Sequence, residues 1–281
     1  MKTPEQLKGA IRNMAKDKGI PAQSVLQIAM FERIIERLSV SKYKDMFILK
    51  GGLLISAMLG IAERATMDMD TTVKGLPMEE NVIRETLTEI LNQPIDDGVR
   101  FELIGLSQIR EDDEYENFRA NLQAVYGKMR IPMKIDITTG DRITPKEIRF
   151  SYPFLFEDKH VSVMAYTFET ILAEKYETII RRNIESTRAR DYYDLQLLYG
   201  LYRSCADWEL LKRSVIATSE KRESLDMMYD AGRIISVLEN SSAQKRLWGR
   251  YQDQNSYSDG IKYEDIMETV KEFTKKIGLE R

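Results

Sequence analysis

The chain has 281 residues, with 42 basic against 45 acidic side chains, a formal net charge of −3, and 43% hydrophobic against 31% charged residues. That length allows two ordinary domains with a substantial core, and the interleaved charge signs exclude a disordered chain and point to a helix-rich globular one. The balance of charge excludes bulk attraction of nucleic acid; the single cysteine, Cys205, excludes an internal disulfide or a cysteine-built zinc site, and the single histidine, His160, excludes histidine-pair chemistry.

The segment Met1 to Gln6 lacks an apolar signal core, and no apolar run approaches membrane-spanning length, so a cytoplasmic protein is expected. Thr3 and Gln6 form a capping-box pair with Pro4 in the first turn, which predicts a helix to Lys18 ended by Gly19-Ile20-Pro21. Val25, Ile28, Ala29, Ile34, Ile35 and Leu38 recur at helical spacing and predict a second helix from Ala22 to Leu38. The apolar run Met46 to Leu49, stopped by Gly51-Gly52, predicts a buried strand and a tight turn, followed by a short helix from Leu53 to Leu59. Polar and apolar residues alternate from Thr66 to Asp70, which predicts a half-buried strand with Asp68 and Asp70 on one face.

Pro77 opens a further helix to Leu91. Arg100 to Ile109 and Phe118 to Tyr126 alternate as antiparallel strands, Gly127-Lys128 supplies a hairpin turn, and Ile131 to Ile137 alternates again with Lys134 and Asp136 on one face. A loop around Pro153 and a short strand at Val161 to Ala165 lead into helices Phe168 to Arg182 and Ala189 to Tyr202, with more helices to the end. The switch of periodicity predicts an α+β fold of two domains, residues 1–160 with a mixed sheet and residues 161–281 all helical.

Two aspartates two residues apart on a strand have Cα atoms about 7 Å apart on the same face, and a neighbouring strand lies about 5 Å away. If Asp136 comes from that neighbour, three carboxylates converge, and a cation is needed to keep all three ionised. Mg²⁺ suits the donor set, because it prefers hard oxygens and is held by one or two carboxylates together with substrate phosphates. Asp68, Asp70 and Asp136 are therefore the candidate metal ligands and catalytic carboxylates, with two ions expected for phosphoryl or nucleotidyl transfer. A solvent-facing strand edge is the plainer reading of the Asp-x-Asp pair. Gly51 and Gly52 let backbone approach a ligand at a helix N-terminus that favours anions, which suits a triphosphate; a simple strand-to-helix turn is the plainer alternative.

The run Leu49-Lys50-Gly51-Gly52, then Arg64-Ala65-Thr66-Met67-Asp68-Met69-Asp70, then Lys134-Ile135-Asp136, resembles the AbiEii/AbiGii toxin nucleotidyltransferases. A fourth block, Ala173-Glu174-Lys175 leading through Arg181-Arg182 to Arg188-Ala189-Arg190-Asp191-Tyr192-Tyr193-Asp194, is similar to that family's basic motif. The resemblance implies a polymerase-β-like nucleotidyltransferase domain followed by a helical domain. It also implies the toxin half of a toxin-antitoxin or abortive-infection system, with a cognate antitoxin encoded by a neighbouring gene. By position it makes Asp68, Asp70 and Asp136 the metal carboxylates, Gly51 and Gly52 the phosphate-approach turn, and Lys134 a neighbour of the metals. Leu53 stands where members often carry Ser or Thr, and Arg190 where lysine is usual.

On the helical side, the functional reading has Lys175, Arg182 and Arg190 hold nucleotide phosphates, while Asp191 orients a basic side chain or assists the acceptor hydroxyl. An interhelical salt-bridge surface is the plainer alternative. Of Tyr192 and Tyr193, one is expected in the core and the other could stack on a base. Residues 171–190 hold five basic side chains against three acidic, which leans towards an RNA acceptor. The leading expectation is a Mg²⁺-dependent transfer of NMP from an NTP to RNA, a tRNA 3′ end. The alternatives are a small-molecule or protein hydroxyl as acceptor, or a nucleotide-binding regulator without turnover.

Overall fold

The computed structural model describes residues 3–109 and 117–279. It divides into two compact units, Met1–Gly140 with Glu147–Tyr166, and Asp141–Lys146 with Thr167–Arg281.

The first unit is built on a seven-stranded mixed sheet. Its strands are β1 (Phe47–Lys50), β2 (Met69–Val73), β3 (Val99–Ile109), β4 (Asn117–Tyr126), β5 (Met129–Thr139), β6 (Ile148–Pro153) and β7 (His160–Ala165), in the order β3-β4-β5-β2-β1-β7-β6. Four helices accompany them: α1 (Pro4–Lys18), α2 (Ala22–Val40), α3 (Gly51–Leu59) and α4 (Glu80–Leu91). The Thr3/Gln6 capping box forms as the sequence predicts, and Gly19 ends α1 in the left-handed conformation. β4 and β5 are joined through Gly127-Lys128 with Tyr126 opposite Met129. Their alternation sends Phe118, Ala120, Leu122 and Ala124, with Ile131, Met133, Ile135 and Ile137, to the buried side. The opposite face carries Arg119, Lys134 and Asp136.

Two expectations are corrected here. The strand carrying the aspartates begins at Met69, so Asp68 stands just before it. Thr66 explains the late start: its hydroxyl donates to the Asp68 carbonyl at 3.2 Å, a local bond that replaces ladder pairing. The loop expected around Pro153 is instead β6, antiparallel to β7 at the sheet edge, where a terminal proline costs no ladder bond.

The second unit is helical: α5 (Phe168–Arg182), α6 (Ala189–Tyr202), α7 (Trp208–Lys221), α8 (Leu225–Tyr229), α9 (Ala231–Asn240), α10 (Ser242–Gln254) and α11 (Tyr263–Ile277). Thr167 caps α5 by accepting from the Thr170 amide. Tyr176, Leu198, Val270 and Phe273 belong to its core. Tyr192 and Tyr193 are both buried there, and neither offers a ring to a base. No helix among the described residues is long and apolar enough to cross a membrane.

Candidate active site

The register of four strands places a charged row across one face of the sheet. Lys50 on β1 is opposite Asp70 on β2, Asp70 is opposite Asp136 on β5, and Asp136 is opposite Arg119 on β4. Residues paired in this way point to the same face. The side chains therefore run Lys50, Asp70, Asp136, Arg119, two carboxylates flanked by two cations. Local sequence pattern gives neither Lys50 nor Arg119 a role of its own.

Arg119 engages Asp136 side-on, Nε donating to Oδ1 and Nη2 to Oδ2, both at 2.7 Å. These bonds hold the guanidinium firmly protonated, and the charges of Asp136, Asp68 and Asp70 add to the effect against partial burial. Asp68 and Asp70 thus share an electrostatic neighbourhood with Arg119 and Asp136. Lys50 also lies over the Tyr166 ring, its Nζ 5.7 Å from the centroid. Lys134, two residues before Asp136 on β5, is exposed and opposite Asn121.

Each glycine of the turn has a specific neighbour. Gly51 has a φ of 65°, and a Cβ there would fall 2.0 Å from Asp70 Oδ2 and 2.9 Å from Asp70 Cβ. The Asp70 carboxylate therefore lies against bare backbone at the positive end of α3. A Cβ on Gly52 would lie 2.8 Å from Thr66 Oγ1 and 2.9 Å from an Arg64 guanidinium nitrogen. Arg64 is buried and donates from Nη1 to the Ala65 carbonyl. Gly52 thus makes room for the segment that delivers Asp68. Leu53, where a hydroxyl is usual, is fully buried in the core.

Hard carboxylate oxygens on the half-exposed side chains of Asp68 and Asp70, the latter seated where a Cβ is missing, suit the chemistry of Mg²⁺. Among the described residues, no three His, Cys, Asp or Glu side chains are grouped so as to hold a metal by themselves. Both oxygens of Asp136 accept from Arg119.

In the second unit, α5 and α6 are joined by a buried ion cluster. Lys175 Nζ lies 2.7 Å from Asp191 Oδ1 and 2.8 Å from Asp194 Oδ2, with side-chain exposures of 12%, 3% and 0% respectively. Arg188 Nε approaches Asp191 Oδ2 at 3.0 Å as an ion pair. Of the three cations read as phosphate contacts, Lys175 points inward to two aspartates, whereas Arg182 and Arg190 are exposed. The connector between α5 and α6 is pinned by buried Gln244, whose Nε2 donates to the carbonyls of Ile184 at 2.8 Å and Ser186 at 3.0 Å. No local sequence signal marks Gln244, which comes from distant α10. His160 is exposed at the start of β7.

Comparison with known proteins gives this geometry a context. The model of the family described as nucleotidyl transferase AbiEii toxin, type IV TA system, matches residues 33–269. A candidate nucleotidyltransferase from H. pylori has 16% identity and a TM-score of 0.52, covering 93% of this chain and 100% of its own. JHP933 from Helicobacter pylori has 16% identity and a TM-score of 0.50, covering 91% of this chain and 94% of its own. At such identities the likeness is one of fold. The search of curated proteins found no match.

Proposed function

Because the chain belongs to the AbiEii family of nucleotidyltransferase toxins of type IV toxin-antitoxin systems, we propose that it transfers a nucleoside monophosphate from an NTP to an RNA 3′-terminal hydroxyl, that of a tRNA, with magnesium at Asp68 and Asp70. Family membership implies an NTP substrate and an antitoxin partner; the acceptor, the metal and the residue roles are our reading. The observation that carries it is the pairing of Asp70 with Asp136 on parallel neighbouring strands, with Gly51 stripped of a side chain against Asp70.

In the reaction, the acceptor hydroxyl oxygen attacks the α-phosphorus, the bond from that phosphorus to the bridging oxygen breaks, pyrophosphate leaves, and the hydroxyl proton passes to solvent or a carboxylate. Bound magnesium would neutralise charge developing on the phosphorus and its leaving group. Asp68 and Asp70 would hold the ion, and Lys134 and Lys50 supply positive charge on the same unit for phosphate oxygens. Arg182 and Arg190, exposed at the ends of the α5–α6 connector, bind phosphates of the polyanionic acceptor. Buried Asp191 works by positioning: it fixes Lys175 and Arg188 and so shapes the connector.

The test is incubation with total tRNA, Mg²⁺ and each α-phosphate-labelled NTP in turn. Label is expected in tRNA with the wild-type chain and absent with Asp68→Ala or Asp70→Ala. Wild-type labelling by both variants would remove the metal assignment, and labelling of protein or small molecules alone would remove the RNA acceptor.

A further inference from the structure

We propose that Arg119 is the resident cation of the acidic site, holding Asp136 through both oxygens in the place a second divalent ion would take and leaving Asp68 and Asp70 to seat one ion. This rests on the reading of Asp68 and Asp70 as the metal seat. It departs from the expectation that all three carboxylates are metal ligands.

Three observations carry it. The two bonds from Arg119 to Asp136 are both 2.7 Å and use different oxygens, the parallel fork that a guanidinium makes with a carboxylate. That fork takes one lone-pair site on each Asp136 oxygen, so a divalent ion is left only the outer sites, and Mg²⁺ requires oxygens at about 2.1 Å in near-octahedral geometry. The pair is also set by backbone: Arg119 and Asp136 are register partners on adjacent strands, so the contact is fixed by the β4–β5 hairpin and not by a wandering surface side chain.

The third observation is the charge count. Along the row, Lys50 and Arg119 offset Asp70 and Asp136, and on the same face Lys134 stands against the charge of Asp68. The face is therefore already balanced by resident cations, which weakens the demand for a second divalent ion. Arg119 is in this sense a positioning residue. It keeps Asp136 aligned beside Asp70, and it keeps the number of bound ions low.

The experiment titrates Mn²⁺ alone into the full chain, with free ion read by electron paramagnetic resonance and thermal unfolding followed in parallel. The wild-type chain is expected to bind one Mn²⁺. Asp68→Asn should weaken binding by about tenfold or more. Asp136→Asn should leave affinity within about twofold, because that carboxylate is not an ion ligand. Arg119→Gln, which exposes a third carboxylate, should bind Mn²⁺ about tenfold more tightly or take a second ion, and Mn²⁺ should raise its melting temperature more than that of the wild type.

A tenfold loss of Mn²⁺ binding in Asp136→Asn would overturn the proposal, as would wild-type Mn²⁺ binding in a folded Arg119→Gln. If Arg119→Gln does not fold, the Asp136→Asn result alone decides. Unchanged binding in both Asp68→Asn and Asp70→Asn would instead defeat the metal seat itself, so the two failures are distinguishable.

Discussion

Replacing Lys175 by methionine should destabilise the helical unit more than any surface substitution, because Lys175 neutralises two carboxylates that have almost no access to water. Asp191 and Asp194 lie 2.7 and 2.8 Å from its Nζ with side-chain exposures of 3% and 0%. Removing one partner of a buried pair costs about 3–5 kcal/mol, since the remaining charge is left without compensation. Arg188 still faces Asp191, but it is half exposed and offsets only about 0–1 kcal/mol. Asp194 is wholly enclosed and bears the larger share, so about 3 kcal/mol is the expected net loss. For a unit of this size that corresponds to a fall of roughly 10 °C in melting temperature. Circular dichroism melts of the full chain measure it. The companion variant, Lys175→Met with Asp191→Asn and Asp194→Asn, should recover at least about half of the loss, because the stranded charges are gone. A single variant that melts within about 2 °C of wild type would refute the reasoning. Loss of nucleotidyl transfer without loss of stability would show that Lys175 acts on substrate instead of on the two aspartates.

Gly51→Ala should retain the fold yet lose about 100-fold or more in transfer, because alanine meets Asp70 and is strained at a φ of 65° by about 1–2 kcal/mol; transfer at wild-type rate would refute the placement of Asp70. Replacing Arg182 and Arg190 together by alanine should raise KM for RNA with kcat little changed, and should flatten the salt dependence of RNA binding by about 0.7 for each phosphate no longer neutralised; an unchanged salt slope would remove them from the RNA surface. Glu32, fully buried on α2, has its carboxyl pushed by burial from 4.5 to about 8, against the Leu155 amide and Arg33 that favour ionisation. The folded chain then holds a proton there that the unfolded chain releases above 4.5, so this contribution is complete below that pH and is lost as pH rises through about 8. The total is on the order of 5 kcal/mol. Glu32→Gln should flatten stability between about pH 5 and 8, and an unaltered pH slope in urea unfolding would contradict the assignment.

Local periodicity and capping are sufficient to read the start of α1 and the bounds of α5 and α6, since Thr3, Gln6 and Pro4 mark one start and the charged α5–α6 connector separates the other two. Local signals fail where tertiary context overrides them. Pro153 reads as a loop until it is known to end an edge strand. Thr66 to Asp68 alternate like a strand, yet the Thr66 hydroxyl bonds locally and buried Arg64 takes the space that Gly52 leaves. The ion cluster around Lys175 has the expected residues but not the expected exposure, because spacing along α5 does not reveal that α6 covers its inner face.

The charged row divides along the same line. A two-residue turn fixes a hairpin register, so once Tyr126 stands opposite Met129, counting seven residues back and seven on pairs Arg119 with Asp136. The Asp70–Asp136 pair has no such rule. β2 and β5 are parallel neighbours separated in the chain by α4 and the β3–β4 hairpin, and that register depends on long-range packing. Lys50 joins through a third pairing, set where β1 stops at Gly51. The carboxylates are therefore brought together by non-local contacts, whereas the cation that restrains one of them is built into a local hairpin. The Arg119–Asp136 pair closes a short loop and the Asp70–Asp136 pair a long one, so the arginine contact costs less chain entropy than the meeting of the two carboxylates.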